Sequence, residues 1–374
     1  MDRKRIVLIK TNLIDRDPRL AREVDALKRG GYAITLLCWD RDCKTSYPEQ
    51  QETDGYYREI RLRLKAPYGI TILPFLPIWW CFEFLQLLKT SWDMVQVINF
   101  DSIAPAVVAA KLKKRPIIYE IVDVYVDMIL LPRLLRHVGV YIDRIFMRLV
   151  NAIIIANEAH PKELNGIPNS NVVGVYNSPP DFFKKSNVQR NDEFTLFFAG
   201  VLQKSRHTNL DRVCQATRDI DGVELVIAGY GDQSKEIEEW ANEAVDRIKF
   251  IGKISYTEVL DRTIRSDLLF ALYEPVVPTV RYAGGNKLFE AMMAGKPILV
   301  SKDTAMSDIV EQESCGLVVD SNSVDEIREA IVRLKEDTQL YRQLGANGRR
   351  AYEQRYSWEI MEQRLVALYE EMTR

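Results

Sequence analysis

The sequence has few of the residues on which disulfide frameworks and metal sites depend. Its 374 residues include five cysteines and three histidines. The cysteines are scattered without a C-x-x-C pair, and no H-E-x-x-H motif is present. We therefore expect neither a disulfide scaffold nor a zinc or other metal site. The N-terminus also lacks an apolar signal segment, and a protein of the reducing cytoplasm is expected.

Two common nucleotide-binding spacings are missing as well. The sequence contains no G-x-G-x-x-G and no G-x-x-x-x-G-K-[ST], which disfavours a dinucleotide oxidoreductase and a P-loop NTPase. The net charge of −2 gives no support to nucleic-acid binding. The two halves differ, however: residues 1–185 carry 27 Lys/Arg and 21 Asp/Glu, whereas residues 186–374 carry 24 and 32. The basic first half favours an anionic partner there.

What the sequence does contain is an alternation of strand and helix patterns. Continuous apolar runs such as IVLI within Arg5–Lys10 are typical of strands covered on both faces. Asp17 followed by Pro18 predicts a helix start, and Gly30-Gly31 predicts its end. The same alternation of strand and helix patterns starts again at TLFFA, residues 195–199. We predict an α/β fold with two parallel-sheet domains, whose ligands bind at the carboxyl ends of the strands and in the cleft between the domains.

The domain boundary is predicted where this periodicity stops. Residues 178–192 combine prolines and charges without an apolar repeat, as a linker does. We expect a first domain over residues 1–183 and a second over residues 184–355. A C-terminal helix over residues 356–374 is expected to pack back on the first domain.

Residues 66–90 form the most apolar and aromatic stretch of the chain. The stretch is close to the roughly 20 residues that span a bilayer, although Pro74, Pro77 and Glu83 argue against a spanning helix. Two interpretations stay open: a buried core helix, or a segment that lies in the membrane interface. The preceding basic residues favour the interface; they are Arg58, Arg61, Arg63 and Lys65. Residues 111–115 contain a second basic cluster.

Residues 281–297, RYAGGNKLFEAMMAGKP, contain the most informative pattern. Gly284-Gly285 precede a helix predicted over residues 286–294, and free amides at such a start bind anions. Lys287 and Glu290 are three residues apart and share a face of that helix. A cation for a diphosphate and a carboxylate for ribose hydroxyls suit a nucleotide; a surface ion pair is the alternative.

A second phosphate-binding pattern follows the strand at residues 195–199. Gly200 ends that strand, and the loop behind it carries Lys204, Arg206 and His207. Arginine in particular binds phosphate oxygens through two parallel hydrogen bonds. Basic residues in a loop are also ordinary, so this pattern alone decides nothing.

Several motifs, in this order, resemble the retaining glycosyltransferases of family four. They are DPRLAREVDALKRGGYAITLL, VVGVYNSPPDFF, FFAGVLQKSRHTNL, VELVIAGYGD, IKFIGKIS, NKLFEAMMAGKPILVS, CGLVVD and YSW. The resemblance covers nearly the whole chain and is densest from about residue 195 to 360. It implies the GT-B fold, in which two Rossmann-like domains face each other across a cleft.

The resemblance also implies site residues. Glu290 matches the second acidic residue of the family's E-x7-E motif, which binds the donor ribose, and Tyr282 stands where the first is expected. Lys287 and Arg206 are the expected diphosphate-stabilising catalytic residues. His207 and Val201 stand where the family often has a lysine and an arginine. The remaining expected donor-binding residues are Gly200, Lys204, Ile254, Gly284, Gly285 and Asn286.

A third catalytic candidate comes from the first half. IIYEIVDVY resembles the strand and loop that often carry a histidine near the reacting carbon, and Val122 occupies that position here. Asp123 is therefore the candidate for orienting a sugar, with a structural cap as the alternative. Glu120 is a weaker candidate.

The function implied is metal-independent, retaining transfer of a hexosyl or N-acetylhexosaminyl group from a nucleotide sugar, with UDP favoured. The nucleotide sugar is a substrate, so no cofactor is expected. The expected acceptor is lipid-linked or a glycan, as in polysaccharide biosynthesis, and the enzyme is expected to be peripheral on the cytoplasmic face of the inner membrane. Two alternatives stay open: an inactive partner subunit, because of Tyr282, Val122 and Val201, and a sugar-nucleotide epimerase.

Overall fold

A computed structural model of the protein describes residues 3–14, 17–45, 47, 49–51, 56–128, 133–182, 193–204, 208–244, 247–276 and 278–374. The chain forms two compact units, Met1–Tyr176 with Met361–Arg374, and Asn177–Ile360. The boundary lies before the linker-like residues because residues 177–182 pack with the second unit. Within that unit the Tyr352 hydroxyl donates to the Pro179 carbonyl at 2.8 Å, and Arg349 pairs with Asp181 at 2.6 Å.

The first unit is built on a sheet whose eight strands have the order β3-β4-β2-β1-β5-β6-β7-β8. All neighbours are parallel except β3 and β4. The strands are β1 (Arg5–Lys10), β2 (Ala33–Asp40), β3 (Glu49–Gln51), β4 (Tyr57–Arg63), β5 (Met94–Ile98), β6 (Ile117–Ile121), β7 (Ala152–Ile155) and β8 (Val172–Gly174).

Helices connect these strands. They are α1 (Pro18–Arg29), α2 (Leu76–Lys89), α3 (Ile103–Lys113), α4 (Tyr125–Met128), α5 (Arg133–Leu149) and α6 (His160–Glu163), with 3₁₀ turns at Gly69–Phe75 and Phe100–Ser102.

The second unit has six parallel strands in the order β11-β10-β9-β12-β13-β14. They are β9 (Phe194–Val201), β10 (Val223–Tyr230), β11 (Ile248–Phe250), β12 (Leu268–Ala271), β13 (Ile298–Ser301) and β14 (Gly316–Val319). The helices are α7 (Leu210–Arg218), α8 (Ser234–Glu243), α9 (Tyr256–Arg265), α10 (Pro278–Arg281), α11 (Asn286–Ala294), α12 (Ala305–Glu313), α13 (Val324–Glu336) and α14 (Thr338–Ala351), followed by a π-helical turn at Tyr352–Tyr356. The last helix, α15 (Trp358–Met372), lies mostly in the stretch that belongs to the first unit.

Each sheet reverses its strand order once. The chain builds outward from β9 through β10 and β11, then returns to place β12 on the other side of β9. The same reversal separates β1 from β5 in the first sheet. Because the connections on either side of such a point leave in opposite directions, a crevice opens at the carboxyl ends of the two strands. The predicted α/β fold with two parallel-sheet domains is confirmed.

The helix-start signals of the sequence act as expected. The Asp17 carboxylate accepts hydrogen bonds from the Arg19 and Leu20 amides at 3.1 and 3.0 Å. Helix α11 has the predicted bounds, and it ends at Gly295 in the left-handed conformation with φ +62°. Local caps therefore fix where these helices begin and end.

Three of the four basic residues expected beside the apolar segment belong to the sheet. Arg58, Arg61 and Arg63 lie in β4, which the sequence analysis missed. Arg61 is 9% exposed and pairs with Glu59 at 2.8 Å, and Arg58 pairs with Glu49 at 2.7 Å. These pairs put opposite charges side by side in the sheet, whereas Arg63 and Lys65 are exposed. That the basic residues favour a membrane interface stays a prediction.

The apolar segment itself has two faces. Among the described residues, Gly69–Lys89 is the one stretch long and apolar enough to cross a membrane by length and composition, and 28% of its most apolar window is buried. Trp79 is fully buried and stacks on Trp39 with ring centroids 5.7 Å apart. Glu83 is also fully buried, whereas Ile78 and Leu85 are half exposed. One face of α2 is thus part of the core, and the other is exposed apolar surface.

Candidate functional site

The carboxyl ends of β9 and β12 bring two predicted site residues together. The Lys287 Nζ donates to the Tyr273 hydroxyl at 3.1 Å and lies 4.3 Å from the centroid of the Phe198 ring. A Cβ added to Gly200 would lie 3.3 Å from that Nζ. The glycine at the end of β9 therefore leaves room for the ammonium of α11 at the point where the strand order reverses.

Tyr273 was missed by the sequence analysis, and its backbone is fixed on three sides. Its amide donates to the Ser301 Oγ at 2.7 Å, and its carbonyl accepts from the Ser321 Oγ at 3.2 Å. It also forms an isolated antiparallel bridge with Thr208. The available signal was its place directly behind the apolar strand β12, where ligand-binding side chains of parallel sheets lie.

The start of α11 has no side-chain cap. Gly285 caps the helix and contributes no side-chain hydrogen bond, so the first amides rely on backbone partners or on a ligand. An added Cβ on Gly285 would overlap the Met306 Sδ, which explains a glycine at this position. Gly284 precedes it between α10 and α11. Asn286, the first helical residue, accepts from the Asn177 Nδ2 at 2.7 Å.

Glu290 lies one turn further along α11 than Lys287. It is 6% exposed, in contrast to the partly exposed Lys287. Because Glu290 is buried, the alternative of a surface ion pair does not describe its position.

Three predicted cationic residues follow Gly200, and one of them is placed by the structure. The Lys204 Nζ lies 3.5 Å from the Glu236 carboxylate of α8, with 71% of the lysine side chain exposed. Its amide donates to the Asp232 carboxylate at 3.2 Å. Lys204 is therefore tied to the β10–α8 connection. Arg206 and His207 lie outside the described residues.

Ile254 supplies apolar surface behind β11. It is partly buried and packs against the small cluster of Phe197, Val226 and Ala228. Such a surface at the carboxyl edge of a sheet suits one face of a nucleotide base.

Glycines shape the loop that carries Lys204. An added Cβ on Gly229 would overlap the Gly200 carbonyl, and one on Gly231 would overlap the Leu202 carbonyl. The Leu202 amide donates to the Tyr230 carbonyl at 2.9 Å. The Gly229-Tyr230-Gly231 sequence therefore allows the residues that follow β9 to pack directly against the C-terminal end of β10.

In the first unit, Asp123 lies in the loop that follows β6. The Asn99 Oδ1 accepts from the Val122 amide at 3.0 Å and from the Asp123 amide at 3.3 Å. Asn99 itself has a φ of +67° and directly follows β5. Asp123 is exposed at the carboxyl edge of the first sheet. Glu120, the weaker candidate, is instead buried in the core, where it pairs with Arg19 at 2.6 Å.

Two carboxyl groups near this edge have raised pKa values. Burial raises the pKa of Asp101 to about 6, although Thr11 donates to it at 2.6 Å. Burial, followed by the charges of Asp127 and Asp123, raises the pKa of Glu163 to about 9. Glu163 therefore stays neutral near pH 7 beside two carboxylates. Within the described ranges, no group of three or more His, Cys, Asp or Glu residues is placed to hold a metal ion.

Comparison with known proteins gives a family match that lies within the second unit. Residues 180–351 match the family model described as "Glycosyl transferases group 1". A GDP-mannose-dependent monoacylated alpha-(1-6)-phosphatidylinositol monomannoside mannosyltransferase of Corynebacterium glutamicum is 27% identical over 150 residues, or 38% of this chain and 38% of the relative. The chain thus spans less than half the length of the curated relatives it first matches.

Solved structures resemble the whole chain. Sucrose-phosphate synthase from Thermosynechococcus elongatus superimposes with a TM-score of 0.76 at 17% identity, covering 99% of both chains. The UDP complex of Anabaena HepE superimposes with a TM-score of 0.72 at 14% identity, covering 98% of this chain and 100% of that one. At these identities the likeness concerns the fold, and it confirms the predicted GT-B fold.

Proposed function

We propose that the chain is a glycosyltransferase that transfers a sugar from a nucleoside diphosphate sugar to a hydroxyl acceptor, since residues 180–351 match the model of the group 1 glycosyltransferases. The observation that carries this proposal is the position of the Lys287 ammonium. It lies beside Gly200 and the start of α11, where the second sheet reverses its strand order. A cation and free amides at one place suit a diphosphate.

The remaining donor contacts follow from this placement. The diphosphate takes the amides at the start of α11 and the Lys287 ammonium. Glu290, one turn along the same helix, accepts from the ribose hydroxyls, and Ile254 offers its apolar surface to the base. Arg206 and His207 are proposed as further diphosphate ligands, since the resemblance of their motif implies that role.

We propose that transfer retains the anomeric configuration through front-face displacement. The bond between the anomeric carbon and the diphosphate oxygen breaks while the acceptor oxygen bonds to the same face of that carbon. The acceptor proton passes to an oxygen of the departing diphosphate. Negative charge develops on the leaving group, and Lys287 with the α11 amides stabilises it. Asp123 is proposed to orient a sugar hydroxyl.

The donor nucleotide is proposed to be uridine diphosphate, with guanosine diphosphate as the second candidate. UDP is the expectation from the resemblance, and HepE was solved with UDP. The Corynebacterium relative is GDP-mannose-dependent by its name. Both donor classes therefore belong in the first experiment.

The acceptor is proposed to be lipid-linked or a glycan, met at the cytoplasmic face of the membrane. Support comes from the excess of basic residues in the first half and from the phosphatidylinositol monomannoside in the name of the Corynebacterium relative. Peripheral attachment would bring the enzyme to such an acceptor without a membrane anchor.

Calorimetric titration with UDP and GDP tests the donor site. We expect one nucleotide to bind selectively and Glu290→Ala to weaken it by about 1–3 kcal/mol, the cost of leaving polar groups unpaired. Glu329→Ala, which removes an exposed carboxylate of α13, is the matched control and should bind as the wild type does. Failure of the wild type to bind either nucleotide would overturn the proposal.

Turnover separates the proposed transferase from its alternatives. We expect sugar transfer only when an acceptor is present. Conversion of the donor sugar without acceptor would indicate an epimerase. Donor binding without any turnover by the purified chain, with candidate lipid-linked acceptors supplied, would indicate a partner subunit.

A further inference from the structure

Exposed apolar side chains are concentrated on one part of the first unit. Sixteen of the twenty-two large hydrophobic side chains exposed in the described part of the chain lie on three elements, and the second unit has three. Seven belong to residues 68–88, two to α3 and seven to α5. They are Tyr68, Ile70, Leu73, Ile78, Trp80, Leu85 and Leu88; Val108 and Leu112; and Leu134, Leu135, Val138, Tyr141, Ile142, Ile145 and Leu149.

Two charged residues of helix α5, Asp143 and Arg144, contact the rest of the unit. The buried Asp143 accepts from the Tyr119 hydroxyl at 2.9 Å, and Arg144 donates to the Leu164 carbonyl at 2.9 Å. On the outward side, Leu134 is 76% exposed and Tyr141 is 65% exposed. An ordinary surface helix has the opposite arrangement, so the outward side of α5 is suited to apolar surroundings.

The three elements form a continuous surface, which we call the three-helix face. Helix α2 packs against α3, and α3 packs against α5. Each helix precedes a parallel strand of the same sheet, namely β5, β6 and β7 in turn. Their C-terminal ends therefore lie at the same edge of the sheet.

The charge of the three-helix face has one sign. Helices α2, α3 and α5 contain two acidic residues, Glu83 and Asp143, and both are buried. Basic residues at or just behind the C-terminal ends are exposed; they are Lys89, Lys111, Lys114 and Arg148. The outward surface thus combines apolar side chains with cations along one edge.

We propose that the three-helix face docks on an anionic lipid bilayer. Its apolar side chains enter the interface, and the basic edge contacts the headgroups. Trp79 and Glu83 hold the inner side of α2 in the core, so α2 lies along the surface and does not cross it. A second copy of the chain is a poor occupant, because symmetrical pairing of this face would bring cations together without acidic partners.

This inference rests on the proposed function only for its biological use, since a lipid-linked acceptor would be met at the surface so bound. The binding itself requires neither donor nor acceptor. Vesicle binding and nucleotide calorimetry on the same variants therefore keep a failure of one proposal distinct from a failure of the other.

Sedimentation with vesicles tests the docking. The probes are vesicles of phosphatidylcholine alone and of phosphatidylcholine mixed with phosphatidylglycerol, at low and high salt. We expect the wild-type chain to bind the mixed vesicles and to release at high salt. The double variant Val138→Glu with Ile142→Glu should lose this binding, whereas Val172→Glu on β8, which is outside the face, should keep it.

The basic edge is tested separately. Lys111→Gln with Lys114→Gln should weaken binding to the mixed vesicles by roughly fivefold per residue and should leave the thermal melting of the protein unchanged. Circular dichroism checks that every variant is folded.

The proposal is overturned if the folded wild type binds neither vesicle, or if the Val138→Glu with Ile142→Glu variant binds as well as the wild type. A dimer of the wild type would also overturn the proposal, if the wild type does not bind vesicles and the double variant is a monomer. In that case the face would be an interface between copies of the chain. Analytical ultracentrifugation measures both oligomeric states.

Discussion

The Nζ of Lys287 lies 3.1 Å from the hydroxyl oxygen of Tyr273, and this hydrogen bond joins the first turn of α11 to the carboxyl end of β12. The bond uses one of the three donors of the ammonium. Since Ser301 and Ser321 hold the Tyr273 backbone, the ammonium is positioned by the fold before any anion binds. Such preorganisation lowers the entropy that binding would otherwise lose.

Lys287→Met is expected to weaken nucleoside diphosphate binding by about 1.5–3 kcal/mol, the range for a hydrogen bond to a charged group. Calorimetry with UDP and GDP measures the loss. The matched control is Lys302→Met, since Lys302 follows β13 in the same sheet and pairs with Asp320 at 2.8 Å. Equal losses in the two variants would mean that Lys287 acts only through the general charge of the domain.

Gly285→Ala is expected to destabilise the second unit by about 1–3 kcal/mol, because the new methyl group would overlap the Sδ of the fully buried Met306. Its φ of −66° is acceptable for alanine, so the cost is steric. Urea unfolding measures it.

Gly252→Ala is the comparison for that variant. Gly252 has a φ of +66°, and an added Cβ there would have no heavy atom within 4 Å. Gly252→Ala is expected to lower the unfolding free energy by about 1–2 kcal/mol through backbone strain. Adding the Met306→Leu change should not alter this loss. If Met306→Leu changed the unfolding free energy of the Gly285→Ala and Gly252→Ala variants by the same amount, contact with Met306 would not be the cause of the loss in Gly285→Ala.

Some of the fold was predictable because local patterns and tertiary structure agree. Strand β1 lies where the apolar run within Arg5–Lys10 predicts it, since it is buried on both faces. Helix α11 was predicted to the residue, because Gly285 and Gly295 mark its two ends. In the candidate site, Lys287 and Gly200 were each singled out from such local signals.

Other features depend on pairings that a single sequence does not reveal. The contact of Lys287 with Tyr273 joins residues 14 positions apart that meet only when α11 packs against β12. Strand β4 was missed because its charges are matched across the sheet and within the strand. The outward apolar side of α5 was missed because inward charges, such as Asp143, make the helix resemble an ordinary amphipathic one.

Trp79 and Trp80 are adjacent, yet they should respond very differently to truncation. Trp79→Ala is expected to cost about 3–5 kcal/mol of unfolding free energy, because the fully buried ring stacks on Trp39 and donates to the Ser102 Oγ at 2.8 Å. Trp80→Ala should lower the unfolding free energy by less, because the Trp80 side chain is 36% exposed. Denaturant titration of both variants measures the difference, and similar costs would contradict the two-faced description of α2.

The stability of the first unit should depend on pH through Glu163. The folded-state pKa of this carboxyl is raised from 4.5 to about 9, first by burial and then by the charges of Asp127 and Asp123, against the opposing charge of Arg136. Between those two values the unfolded chain is ionised there while the folded chain is neutral. Ionisation therefore favours unfolding, and the free energy of unfolding falls as the pH rises through this window.

Glu163→Gln keeps a neutral side chain of the same size at this position, so it should remove that part of the pH dependence. Urea unfolding at about pH 5, 7 and 9 should show a shallower decline for the variant than for the wild type. Glu329→Gln, which changes an exposed carboxylate of α13, should follow the wild type. If the Glu163→Gln variant declined as steeply as the wild type, the loss of stability would come from other groups, and Glu163 would be ionised in the folded chain beside Asp127 and Asp123.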